Sequence, residues 1–222
     1  MARSLTAENM AALEARALLA RDFIWFVVRD RTTGAAVTDG MWSDVGDVTA
    51  EVINPDTGLA VSRTFYGSGT LIQCDDIPLV ANMTIQNVTV RMSQVAERVE
   101  ALVRTYDIKQ ARVEIYRGLF DPSTRALVSP AVCRFVGFVD EVRIDTPSEN
   151  EDGAVTLTCV SHTQEMTRSN PDTRSHESQK RRSATDTFFV DASVVGDWEH
   201  YWGKTKGKVA APPPRKKFLG IF

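Results

Sequence analysis

The chain has 222 residues, 43% of them apolar and 25% charged, enough for one large or two small domains with a real core. A net charge of −3 and a pI near 5.7 predict no general affinity for nucleic acid. The three cysteines (Cys74, Cys133 and Cys159) show no Cys-x-x-Cys spacing, and the longest apolar run, Phe23 to Val28, is too short to span a membrane; a disulfide scaffold, a secretion signal and a membrane segment are not expected, and a reducing compartment is.

Leu5 to Asp22 reads as a helix, with Thr6 as its cap, Glu8 in the first turn, and Met10, Leu13 and Ala17 at helical spacing. Phe23 to Arg29 is a continuous apolar run, expected to be a buried strand. Asp30 to Gly34 supplies turn chemistry, so Ala35 to Val37 returns as a hairpin. A loop around Gly46 leads to Val48, Ala50 and Val52, which alternate as in a half-buried strand. The turn Asn54-Pro55-Asp56-Thr57-Gly58 precedes another strand, Leu59 to Tyr66. Thr84 to Met92 alternates, with a bulge expected near Asn87. Ser93 is expected to cap a short helix whose apolar face is Val95, Val99, Leu102 and Val103.

Ala111 to Arg117 alternates again and is followed by the turn Asp121 to Thr124. Val132 to Ile144 is a long strand in which Gly137 marks a bulge or bend. It forms the clearest hairpin of the sequence with Val155, Leu157 and Cys159. Roughly eight strands, two helices and no internal repeat predict a mainly β fold, a barrel or sandwich. The expected organisation is an N-terminal helix (1–22), a β-barrel or sandwich (23–163), a polar loop with an aromatic segment (164–203) and a Pro-rich basic arm (204–222).

Little in the chain points to catalysis. His162 and His176 flank Glu165, Asp172 and Glu177, but the spacing matches no zinc pattern, and His200 adds none. The cysteines lack a fourth ligand for an iron–sulfur cluster. Gly67-Ser68-Gly69 is a Gly-flanked turn rather than a nucleophile elbow, and Asp140 and Glu141 alternate to opposite sides of a strand. No catalytic residue, cofactor or metal is therefore expected.

Residues 164–189 form a long polar stretch of the kind that is functional or ordered by a partner. Its cations Arg174, Lys180, Arg181 and Arg182 and the pair Phe188-Phe189 are candidate subunit-interface residues. The prolines 212–214 stiffen an arm that ends in Phe218, Leu219, Ile221 and Phe222, an apolar plug suited to a neighbour's groove. Trp198, Tyr201 and Trp202 read either as a small satellite core or as a glycan platform.

Several segments in order carry a resemblance: Tyr66 to Ile72, Ile85 to Val90, Ala111 to Gly118, Phe135 to Asp140, and the closing stretch from Arg174-Ser175 through Gln179-Lys180-Arg181 to Asp186-Thr187-Phe188-Phe189. Over roughly Asp22 to Gly203 the chain resembles minor tail proteins of long-tailed bacteriophages and gene transfer agents, nearest the tail-tip hub and baseplate proteins of siphophage-like tails. The resemblance implies a tail-tube-like β domain. It also implies a non-enzymatic virion protein, assembled in the bacterial cytoplasm into a ring between the distal tail and the tip fibre. A trimer is the favoured ring, with other tail proteins as partners. A hexameric distal tail ring, a glycan-binding tip module and a cell-wall hydrolase are the alternatives. Some such proteins carry a cysteine-rich C-terminal domain with an iron–sulfur cluster; this chain has no equivalent cysteine set.

Overall fold

The structure, a computed structural model, describes residues 5–197 apart from 68, 79, 81, 83, 150–152 and 170. The chain divides into two compact units, Met1–Arg168 and Ser169–Phe222. The first opens with helix α1 (Ala7–Ala15) and strands β1 (Leu19–Asp30), β2 (Ala36–Trp42), β3 (Asp47–Ile53), β4 (Ala60–Tyr66), β5 (Leu71–Cys74) and β6 (Asn87–Ser93). Helix α2 (Glu97–Arg104), strands β7 (Tyr106–Phe120), β8 (Val132–Asp145) and β9 (Ala154–Ser161), and a 3-10 helix (His162–Thr167) complete it. In the second unit lie helix α3 (His176–Arg182) and a 3-10 turn (Val195–Asp197).

The nine strands make one curled sheet, a half-barrel, in the order β3-β4-β2-β1-β7-β8-β9-β6-β5. It closes only in part: β5 remains an edge, and the outer side of β3 meets the chain just before β8 through one bridge, Val52 beside Ala131. Both faces are buried at the middle of the sheet. On β1, Ile24, Phe26 and Val28 enter one core, while Phe23 and Trp25 enter a second. The adjacent β7 divides the same way, Val113 and Ile115 to the first and Tyr116 and Phe120 to the second. Since successive side chains of a strand point to opposite faces, the two cores lie on opposite sides of the central strands. Strands β6 and β9 and helix α2 cover one side with Val90, Met92, Leu157, Val99 and Leu102. The β3–β4 hairpin covers the other with Ala50, Val52 and Phe65. This is why Phe23 to Val28 reads as an unbroken apolar run.

Several expectations are corrected. The first helix ends at Ala15, where Arg16 takes a left-handed conformation (φ 55°), and Leu19 to Asp22 belong to β1. Met10 and Leu13 are exposed, so the helix gains little from packing, whereas the β1–β7 ladder extends back to Leu19 opposite Phe120. Thr6 does cap the helix, its Oγ accepting from the Asn9 amide. Strand β6 pairs with β9 without interruption from Asn87 to Ser93, so no bulge lies at Asn87; the irregularity is on its other side, between Leu71 and Gln73 of β5. That short edge strand carries too few residues to show alternation in the sequence. Ser93 closes β6 instead of capping α2, which starts after Ala96 without a side-chain cap, and Val95 is 93% exposed.

On β8 the register shifts at Arg134 and at Asp140, not at Gly137, and the shift at Asp140 breaks the alternation expected of Asp140 and Glu141. Gly137 serves a close approach: a Cβ there would lie 2.1 Å from the Val160 carbonyl oxygen and 2.8 Å from the Phe135 ring. Backbone cannot yield as a flexible side chain can, so Gly137→Ala forces β8 and β9 apart. The expected loss is about 1–3 kcal/mol of unfolding free energy, as for an overpacked core, read from the urea midpoint. An unchanged midpoint would overturn the close approach.

Candidate subunit interface

The polar stretch after β9 is not structureless. Ser175 caps α3, its Oγ accepting from the Ser178 amide at 3.2 Å. Asp172 pairs with Arg182, and Gln179 Nε2 donates to Asp186 Oδ2 at 2.6 Å. That bond, joined by the Phe188 amide, holds the Asp186 carboxyl below the usual carboxylate range. Lys180, Arg181 and Arg182 fill the last turn, where cations meet the negative end of the helix dipole. Consecutive positions on so short a helix point in different directions, so they form a basic collar, and they and Arg174 are exposed. Phe188, 80% exposed, packs edge-on against Phe189 with ring centroids 4.9 Å apart. Val190 and Val194 beside them are also exposed. The structure thus places the basic and aromatic candidates in one small unit. Phe218, Leu219, Ile221 and Phe222 lie outside the described residues, as do Ser68, Trp198, His200, Tyr201 and Trp202.

The β unit holds two charge clusters that the sequence reading missed. Glu114 is buried on β7 and accepts from Tyr116 Oη at 2.5 Å, Arg63 Nη1 at 2.6 Å and Arg112 Nε at 2.8 Å. Arg112 reaches on to Asp56 at 2.8 Å, holding that carboxyl below its ordinary range. The Arg63 guanidinium also lies 4.7 Å from the centre of the Trp25 ring. Burial, then the bond to Glu114, pushes the Tyr116 hydroxyl well above its ordinary pKa. This network ties the β3–β4 hairpin to the central strand. Its one signal in the sequence is Arg112-x-Glu114-x-Tyr116, three polar residues on one face of a strand whose other face is apolar.

In the second cluster the buried Asp39 on β2 accepts from Arg98 Nη1 at 2.8 Å and from the Gly40 amide at 3.0 Å. Arg98, on α2, covers the Tyr66 ring at 3.3 Å from its centre. Burial raises the Asp39 carboxyl, and Arg98 only partly offsets it. Both clusters bind elements of the fold together, and every acid in them is engaged by an arginine.

Burial pushes the Cys74 and Cys159 thiols up to about 12, which makes them packing groups rather than nucleophiles at neutral pH. His162 lies against the Phe138 ring, with centroids 5.5 Å apart. Among the described residues no three His, Cys, Asp or Glu side chains come together as a metal site would require, and no helix is long and apolar enough to cross a membrane. An apolar groove of about 410 Å³ lies where Leu19, Trp42, Val45, Val48 and Phe120 meet, rimmed by the Arg21–Asp44 ion pair.

No family model and no curated protein matches this chain.

Proposed function

We propose that the protein is a structural subunit of a phage-type tail tip, part of the hub or baseplate ring that joins the distal tail to the tip fibre. The observation that carries the reading is that an exposed Phe188 and a basic helix end share one small unit distinct from the β half-barrel. Aromatic and arginine side chains are the groups that anchor protein interfaces. A ring needs one patch to meet a different patch on the next copy, and a β half-barrel with a second small unit offers two unlike surfaces. The sequence resemblance to tail-tip hub proteins supplies the biological setting, with assembly in the host cytoplasm and other tail proteins above and below the ring.

The native mass of the purified chain across a concentration series tests the proposal. A trimer is expected for a hub; a hexamer moves the subunit to the distal tail ring. The triple variant Lys180→Glu/Arg181→Glu/Phe188→Ser should need at least roughly tenfold more protein to assemble, since about 1.4 kcal/mol of lost contact corresponds to that factor. A wild-type chain that stays monomeric at every concentration removes self-assembly as a property of this protein.

A further inference from the structure

We infer that the gap between β2 and β4 is an acceptor site for an extended, acidic peptide segment of a neighbouring protein. The two strands run parallel but meet at a single bridge, Met41 opposite Tyr66. The hydrogen bonds from Asp30 N to Ala35 O and from Ser43 N to Asp22 O fix which β2 residues face β1: Val37, Asp39 and Met41. The backbone groups of Ala36, Thr38 and Gly40 therefore point the other way. On β4 the bond from Asn54 N to Leu59 O turns Val61, Arg63 and Phe65 toward β3, which aims Ala60, Ser62 and Thr64 at the gap.

The gap closes at one end, where a Cβ on Gly40 would lie 2.6 Å from the Thr64 carbonyl oxygen. There Asp39 accepts from the Gly40 amide. Away from that end the strands separate around a cleft of about 440 Å³, whose walls include Thr38, Ser62, Arg63, Trp25 and Arg98. Thr38 and Ser62 are exposed.

Two facing backbone edges with groups at two-residue spacing match one kind of occupant, a polypeptide in extended conformation that bonds to both. None of the nine strands of a second copy supplies it, because even β3 and β5 have one edge already paired. The occupant is therefore a segment unpaired in its own protein. Its side chains alternate between two surroundings. One side meets Val61, which is exposed, and Trp25, over whose ring lies the Arg63 guanidinium already held by Glu114. The other meets Arg98, whose side chain is 41% exposed and uses Nη1 on Asp39. A guanidinium has further N–H donors, and these favour a carboxylate there. An apolar residue next to Asp or Glu is the expected pattern.

Selection of a random heptapeptide display library on the full-length protein tests this. Enriched peptides should alternate apolar and polar residues and carry an acid. Thr38→Pro removes only an amide that points into the gap, so β1 pairing persists, and affinity for the leading peptide should fall at least tenfold. Arg98→Gln should abolish the preference for an acid. Should Thr38→Pro fail to fold by circular dichroism, Ser62→Pro makes the same test on the opposite edge. In the wild-type protein the peptide should slow amide exchange at Thr38 and Ser62. No enrichment, equal binding to the proline variant, or slowed exchange only elsewhere overturns the inference.

Discussion

Replacing Phe23 with alanine is expected to lower the unfolding free energy by about 3–5 kcal/mol, the range for a fully enclosed aromatic side chain. The ring is inaccessible to water and stacks on Trp42 with centroids 5.7 Å apart. It also contacts Phe65 at 4.7 Å and Phe120 at 6.1 Å. Those three partners come from β2, β4 and β7, so the vacated space cannot collapse without moving several strands at once. Each aromatic pair contributes about 0.5–1.5 kcal/mol beyond its buried area, which places the loss at the upper end. Urea denaturation gives the value. Val95→Ala, at a position 93% exposed, is the control and should stay within about ±0.5 kcal/mol. A loss under about 1 kcal/mol at Phe23 would mean that the second core is not packed against the sheet as described.

Glu114→Ala is expected to cost about 3–5 kcal/mol, because it leaves buried donors without their acceptor. Tyr116 is fully enclosed and the Arg63 side chain is only 12% exposed, so neither can turn to water. Tyr116→Phe removes one donor to Glu114 and one of the two acceptors of Arg63 Nη1, but leaves the Arg63 and Arg112 bonds to Glu114, so its cost should be smaller. The double-mutant cycle of Glu114→Ala with Tyr116→Phe should show a coupling of about 0.5–3 kcal/mol, as expected of neighbours in one network. Replacing its three enclosed members (Glu114→Leu, Arg63→Met and Tyr116→Phe together), with Arg112 still paired to Asp56, should be milder than Glu114→Ala alone. No unpaired charge is then left behind, which is the difference between removing an ion pair and breaking one. If the triple variant is the less stable of the two, the network stabilises through its bonds and not merely by being complete.

The strands were legible wherever one face or both faces carried an apolar pattern. Val48, Ala50 and Val52, the run from Phe23 to Val28, and the alternation Val155, Leu157, Cys159 each predicted a strand that the structure contains. Turn chemistry was equally clear at Asp30 to Gly34, where Asp30 Oδ1 accepts from the amides of Thr32 and Thr33 and Gly34 takes φ 71°. What failed had nonlocal causes. The end of the first helix is set by a ladder to Phe120, and Gly137 answers to a carbonyl on β9. Helix α3 was hidden because its sequence, HESQKRR, has no apolar stripe; its cap and its side-chain bonds to Asp172 and Asp186 lie within its own unit. The Arg98–Asp39 contact joins residues on β2 and α2, and no local pattern could announce it. For the interface candidates, residue type was readable, whereas the exposure of Phe188 and the gathering of the cations at one helix end required coordinates.

Strand β1 has β2 on one side and β7 on the other, and Leu19 waits for Phe120. On the ribosome that second neighbour follows close to a hundred residues later, about 5–20 s at a synthesis rate of ~5–20 residues per second. Through that interval β3 and β4 can cover Phe23 and Trp25, but the other long edge of β1 stays unpaired and Ile24, Phe26 and Val28 lack Val113 and Ile115 of β7. An apolar edge left unpaired for that long is a template for pairing with another chain, so slower translation should lower the yield of folded protein at a given concentration.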